Sequence, residues 1–194
     1  MASQYRTRGY RPGEIVHITC RGFRKQRIFL DRHDHDWFLD RFCELNSALP
    51  VEAQLTLLAN AQMDNHQHLL ARNANRPGAI TAIMHRLCTE YAIDFNWRQH
   101  RSGQVFERPF RGKVIRSTEH LVNAFAYIHL NPDHSLRLDN SSHGIYAGVR
   151  SDPRFDTTLG LRALGGREGY MKFIEDTARI RDARKAGRRR LEDW

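Results

Sequence analysis

Two apolar runs, residues 51–63 and 66–72, are separated only by Asp64-Asn65. A turn-prone pair this short leaves no room for a crossover helix, so two strands so joined must pair antiparallel. The segments around that hairpin complete a pattern. Residues 14–20 (EIVHITC) alternate in polarity and are rich in β-branched side chains, as a strand is. Residues 34–48 place Phe38, Phe42 and Leu45 at helical spacing, continued by Leu49, with Asp31 or Asp34 as N-cap. Downstream, Pro77 suits the first position of a helix reaching about Trp97, with Ile80, Ile83, Met84, Leu87, Tyr91 and Phe95 as its apolar stripe. Residues 113–116 (KVIR) read as a short last strand. The order strand, helix, strand, strand, helix, strand predicts an α+β fold, the ferredoxin-like split βαβ sandwich: an antiparallel sheet with helices on one face. Many functions share that topology, so the fold alone selects none of them.

Charge narrows the choice. The 194 residues include 31 Lys+Arg against 22 Asp+Glu, a net charge of +9. With 40% hydrophobic and 27% charged residues the chain is a folding one, and its basic excess predicts a polyanionic partner. No apolar run approaches the roughly 18 residues of a membrane span. The first eleven residues are basic and polar, with no secretory signal. Cys20, Cys43 and Cys88 form no Cys-x-x-Cys pair and read as core residues in a reducing cytosol. The expectation is therefore a cytoplasmic, nucleoid-associated protein without a membrane partner. Basic residues crowd the ends: Arg6, Arg8, Arg11, Arg21, Arg24, Lys25 and Arg27, and then a run from Arg179 to Arg190. The reading is a basic N-terminal arm over residues 1–12, a folded domain over 13–150 and a basic helical extension over 151–194. In that extension Tyr170, Phe173, Ile174 and Ala178 share one helix face, and its basic run is open to three roles: a DNA clamp, a mask over the site, or a disordered tail.

Two His-x-His pairs occur, and geometry separates them. Two residues apart on a strand, side chains share a face; on a helix they diverge by roughly 200°. His33 and His35 fall at the start of a helix among aspartates and read as solvated first-turn residues. His66 and His68 fall at the start of a strand, so both imidazoles can face one ion. A bare His-x-His is a weak motif and supplies only half a metal site.

A second helix supplies a candidate for the rest. From Ser117, a natural N-cap with Glu119 in the first turn, it runs to Asn131 before Pro132. Leu121, Val122, Phe125 and Ile128 mark its core face, while His120, Asn123, Tyr127 and Asn131 form a separate stripe. Tyr127 can be a packing residue and Asn131 a helix end. Alternatively Asn131 places an amide oxygen beside the phenol, within reach of the same ion. A metal held by two imidazoles and an amide keeps open positions where a phosphodiester oxygen can be polarised. Attack by the phenol would then give a covalent phosphotyrosine and a free hydroxyl on the other strand end.

These residues resemble a known family. MDNHQHLL at 63–70 is similar to the His-x-His signature of single-tyrosine HUH transposases, and AYIHLNP at 126–132 resembles their nucleophile helix. IVHITCRG at 15–22, IFLD at 28–31, GQVFERPFRGKVI at 103–115 and SSHGIYAG at 141–148 match the REP-associated tyrosine transposases in order and spacing. The resemblance covers residues 10–150 and implies an HUH endonuclease fold with a nucleophile-bearing helix added to the split βαβ unit. It also implies Mg²⁺ or Mn²⁺ and cleavage of single-stranded DNA near hairpins. It assigns His66, His68 and Asn131 to the metal and Tyr127 to the nucleophile. Two departures stand out: Gln67 replaces an apolar residue between the histidines, and Asp133 replaces the valine after Asn-Pro.

For DNA contacts the candidates are Arg6, Arg8 and Arg11 in an arm interleaved with Tyr5 and Tyr10, and Arg21, Arg24 and Lys25 in the RGFRK loop. Arg108, Arg111 and Lys113, ahead of the nucleophile helix, are candidates for holding the scissile strand. The expected activity is that of a transposase: a metal-dependent single-stranded DNA endonuclease and strand transferase, acting through a 5′-phosphotyrosine, as a monomer or homodimer. The competing readings are a structured-DNA-binding module that no longer cuts and an RNA-binding or toxin-like protein.

Overall fold

Alternation sorts the first strand into two faces. In β1 (Ile15–Gly22), Val16, Ile18 and Cys20 are buried and His17, Thr19 and Arg21 point the other way. The computed structural model describes residues 9–74, 76–131 and 140–192, with side chains through residue 183 of the last helix. Arg6, Arg8, Tyr5 and Asp133, and the side chains of the basic run after residue 183, lie outside the described residues.

After β1, a 3-10 turn (Phe23–Lys25) leads to α1 (Arg32–Ser47), then β2 (Thr56–Met63), β3 (His66–Arg72), α2 (Ala79–Arg98) and β4 (Phe106–Ile115). The sheet order is β2-β3-β1-β4, with every neighbouring pair antiparallel. This is the ferredoxin-like split βαβ arrangement read from the sequence. α1 and α2 cover one face, where Phe38, Phe42, Ile80, Met84, Leu87 and Tyr91 close over Val16, Ile18, Leu69 and Ala71. Each Val, Leu, Ile, Phe or Met side chain among them contributes about 1.5–3 kcal/mol of burial.

The opposite face is covered over half its width. α3 (Thr118–His129) begins at Ser117, whose hydroxyl accepts from the His120 backbone N–H at 3.1 Å, and lies over β2 and β3. Two short helices follow, α4 (His143–Tyr146) and α5 (Thr158–Ala163), and then α6 (Gly166–Glu192). Leu121, Phe125 and Ile128 of α3 meet Leu58, Ala61 and Leu70 of the sheet and Tyr146, Tyr170 and Ile174 of the later segments. Backbone pairing of Ser142 with Asn60 and of Asp156 with Leu57 closes the β2 edge. Among the described residues no helix covers the β1–β4 half of this face, where His17, Thr19, Arg21, Arg111 and Lys113 stand. No helix among the described residues is long and apolar enough to cross a membrane.

Several local expectations change. Val51–Ala53 is a 3-10 turn, so β2 starts only at Thr56. Pro77 precedes α2 without entering it, because Gly78 adopts a left-handed conformation (φ 82°) and the helix begins at Ala79. The last strand spans ten residues and includes Pro109 and Gly112, which read as strand breakers. β4 tolerates Pro109 because it is an edge strand, and at Gly112 any Cβ would collide with the Tyr10 hydroxyl. Tyr10 is itself buried in the α1–α2 core, so it does not stack bases as an arm residue. His35 is not solvated: it stacks on Phe29 at 5.1 Å, while His33 stays exposed. Its neighbour Asp34, fully buried, is ion-paired with Arg98 and accepts from the Leu30 N–H.

Gln67 points into the core behind the histidines, at 0% exposure. Its amide nitrogen makes only a long contact with the His68 carbonyl (3.4 Å), and its Oε1 has no hydrogen-bond partner among the described residues. An unpaired buried oxygen costs about 1–3 kcal/mol. Gln67→Leu is therefore expected to raise unfolding free energy by about 1 kcal/mol in urea melts; a loss of stability would show that the amide is satisfied.

Candidate active site

In the β1–β3 pair Thr19 stands opposite His68 and Arg21 opposite His66, and His17 stands opposite Leu70. Antiparallel partners share a face, so His17, Thr19, His66 and His68 all rise on the side of the sheet where α3 lies. α3 brings in the second half of the site. Its 3.6-residue period turns Phe125 and Ile128 into the core and leaves Tyr127 outward, 50% exposed. The Tyr127 ring lies 5.2 Å from the His68 ring and 5.8 Å from the His17 ring, edge-on to both. Asn131, just past the helix, places its Nδ2 2.9 Å from His68 Nε2. His66 and His68 are neighbours with ring centroids 5.0 Å apart.

The hydrogen bonds fix tautomers. Asn131 Nδ2 donates to His68 Nε2, which puts the His68 proton on Nδ1. There it faces His17 Nε2 at 2.9 Å and Thr19 Oγ1 at 3.2 Å. His66 Nδ1 lies 2.6 Å from the Asn65 carboxamide oxygen and donates to it, leaving its Nε2 with the lone pair. Burial holds these imidazoles neutral. It pushes His68 down to about 2, with His17, His66 and Arg21 adding to the effect. His17 falls to about 4, first by burial and then by the charge of Lys113 and by His120. His66 is lowered by burial and by Arg21.

Two neutral imidazoles and an amide form a donor set suited to a divalent ion with open positions, once the Asn131 amide turns its oxygen inward. No group of three His, Cys, Asp or Glu side chains that could hold a metal occurs among the described residues, so beyond the two imidazoles an ion here would draw on the amide or on water.

The uncovered half of the same face is basic. Arg108 stands opposite Arg21, Arg111 opposite Thr19 and Lys113 opposite His17, and all four basic residues are exposed. The RGFRK loop sits at one end of this surface. Its Lys25 carbonyl accepts from Asn65 Nδ2, so Arg24 and Lys25 stand beside the turn that leads into His66. Arg11 is apart from them, near Asn73 at the far end of β3. His17 and Thr19 are site residues that the sequence reading passed over. Their signal was the alternation in residues 15–22, which puts both on the polar face with Arg21.

No family model matches the sequence, and no curated protein does. Among solved structures the chain is similar to a REP-associated tyrosine transposase bound to a REP hairpin, with a TM-score of 0.57 and 14% identity. The similarity covers 80% of this chain and 93% of that one. What the two share is the fold: an α+β unit with a four-stranded antiparallel sheet.

Because His68 and His17 bind protons more weakly folded than unfolded, the unfolded chain takes up more protons below pH 6.5. Stability is then lost as pH falls from about 6.5 toward 4 for His17 and toward 2 for His68. His68 alone accounts for about 2 kcal/mol between pH 7.5 and 5. Urea midpoints across that range should fall less steeply for His68→Asn than for the unaltered chain; equal slopes would refute the neutral assignment.

Proposed function

We propose that this chain is a metal-dependent single-stranded DNA endonuclease and strand transferase, a transposase that acts on hairpin-bearing DNA through a covalent 5′-phosphotyrosine at Tyr127. The observation that carries the reading is the position of the Tyr127 phenol. It projects away from the apolar face of α3 and stands edge-on to the paired imidazoles of His17 and His68, at the border of the basic half-sheet. A tyrosine needed only for packing would turn inward with Phe125.

In this reading the phenol oxygen attacks phosphorus, an O–P bond forms to Tyr127, and the bond from phosphorus to the 3′-oxygen breaks. The phenol loses a proton and the departing 3′-oxygen gains one, so the strand end leaves as a hydroxyl. The linkage keeps the phosphodiester character, and attack by a new 3′-hydroxyl reverses it. His66 and His68 through Nε2 and Asn131 through its amide oxygen would hold Mg²⁺ or Mn²⁺, with the nitrogen ligands favouring Mn²⁺. When bound, that ion supplies polarisation of the scissile phosphate. The chain's own residues do the rest: His17 and Thr19 orient His68, and Arg21, Arg108, Arg111 and Lys113 draw the strand along the uncovered half-sheet. Arg24 and Lys25, beside the turn into His66, extend that basic track, and Arg6, Arg8 and Arg11 are further DNA contacts of the proposal. The solved transposase of the same fold was captured with a REP hairpin, which supports a hairpin as the DNA element.

A second reading, a structured-DNA-binding module that does not cut, draws on the unpaired Gln67 oxygen beneath the histidines. End-labelled single-stranded hairpin DNA with Mn²⁺ on a denaturing gel separates the two. The expected result is a protein–DNA adduct from the unaltered chain and none from Tyr127→Phe or His66→Ala, with hairpin binding by Tyr127→Phe retained. Hairpin binding with no adduct under any divalent ion would leave the binding module. Arg111→Ala and Lys113→Ala should each weaken binding across sequences and lower the salt slope by about one; an unchanged slope would remove them from the DNA track.

A further inference from the structure

α3 carries a second polar cluster on its other side, buried in the apolar layer between helix and sheet. His129, two residues beyond Tyr127, is 1% exposed, and burial lowers its pKa to about 3. Its Nε2 lies 2.7 Å from Ser142 Oγ and its Nδ1 2.9 Å from Tyr170 Oη. Tyr170 Oη in turn lies 2.5 Å from His143 Nδ1. Ser142 Oγ accepts from the Asn60 N–H at 2.9 Å and faces the Asn60 carbonyl at 3.3 Å.

One arrangement of protons satisfies all of these contacts. His129 donates from Nε2 to Ser142, Ser142 donates to the Asn60 carbonyl, Tyr170 donates to His129 Nδ1, and His143 donates from Nδ1 to Tyr170. In the reverse direction the Ser142 proton goes to His129 and the Asn60 carbonyl loses it. Phe125, Tyr146 and Tyr170 enclose the His129 ring. A polar chain satisfied in this way is rigid, since breaking any link strands a buried donor or acceptor.

Its endpoints matter. Asn60 is on β2, and the next residue, Ala61, stands directly opposite His68. His129 lies between Tyr127 and Asn131 in the chain. The cluster thus ties the backbone beneath the paired histidines to the helix end that carries the phenol and the amide. α6 adds a second tie, since Arg181 donates to the Leu130 carbonyl at 3.0 Å, one residue before Asn131.

We infer that His129, Ser142 and Tyr170 are positioning residues that set Tyr127 and Asn131 against His68, making the C-terminal helix part of the machinery of the site. The inference rests on the proposed cleavage reaction for its catalytic consequence but not for its geometric one. None of the three residues touches the phenol or the face where DNA would lie.

Tyr170→Phe and Ser142→Ala, in the full chain, remove one hydroxyl each and little volume. Three quantities are read: the single-turnover rate of Mn²⁺-dependent adduct formation on hairpin DNA, hairpin affinity, and the imidazole ¹⁵N resonances of His68. Expected for both variants is a rate lower by about 10–100-fold, with hairpin affinity within about twofold and His68 Nε2 shifted as its contact with Asn131 loosens. Unaltered rates together with unaltered His68 resonances in both variants would overturn the inference. If the unaltered chain forms no adduct, the cleavage reading fails, and the His68 spectra decide the positioning role alone: a shift supports it and an unchanged spectrum refutes it.

Discussion

The pairing of β1 with β3 places Thr19 opposite His68 and Arg21 opposite His66, and the rest of the molecule depends on that register. Side chains alternate at every residue of a strand, so a slip by one would send His66 and His68 into the α1–α2 core and Gln67, Leu69 and Ala71 to the α3 face. Burial enforces the observed alignment: Val16, Ile18, Leu69 and Ala71 are wholly withdrawn from water on one face. The histidines occupy the other face as a consequence of where the hydrophobic energy is gained. The same register carries across to β4 and lines up Arg108, Arg111 and Lys113 beside them.

Covering only half of a sheet face creates the place where chemistry can occur. α3, with α6 behind it, buries Leu58, Ala61 and Leu70, and the described residues leave the β1–β4 half open. Tyr127 and Asn131 are therefore held at a boundary, with packed protein on one side and an exposed basic surface on the other. Completing the cover with a further helix would bury the arginines, at a desolvation cost that no apolar contact there offsets. A site at the edge of a packed layer is rigid where it holds its groups and accessible on its open side.

Electrostatics separates two kinds of basic residue at this boundary. The imidazoles are neutral because they are partly or wholly buried near guanidinium and ammonium groups, so their lone pairs are available at neutral pH. Arg21, Arg108, Arg111 and Lys113 stand exposed beside them on the open half of the sheet. One face thus offers both uncharged imidazole nitrogens and exposed basic side chains, which a uniformly charged or uniformly buried surface could not do.

Local periodicity carried much of this. The strand period of two put His66 and His68 on one face, and the helical period of 3.6 turned Tyr127 away from Phe125 and Ile128. Those relations hold within a single element, so the order of residues is enough to state them. Contacts between elements were not legible in the same way. His17 reads as an ordinary polar strand position until the register sets it 2.9 Å from His68. β4 hides behind Pro109 and Gly112, which are tolerated only because that strand lies at an edge and a tyrosine hydroxyl fills the space. Tyr10 and His35, polar by composition and near charged neighbours, are buried because of what packs on them. Sequence by itself determined which residues could share a face; the tertiary structure decided which faces meet, because that choice depends on packing summed over residues far apart in the chain.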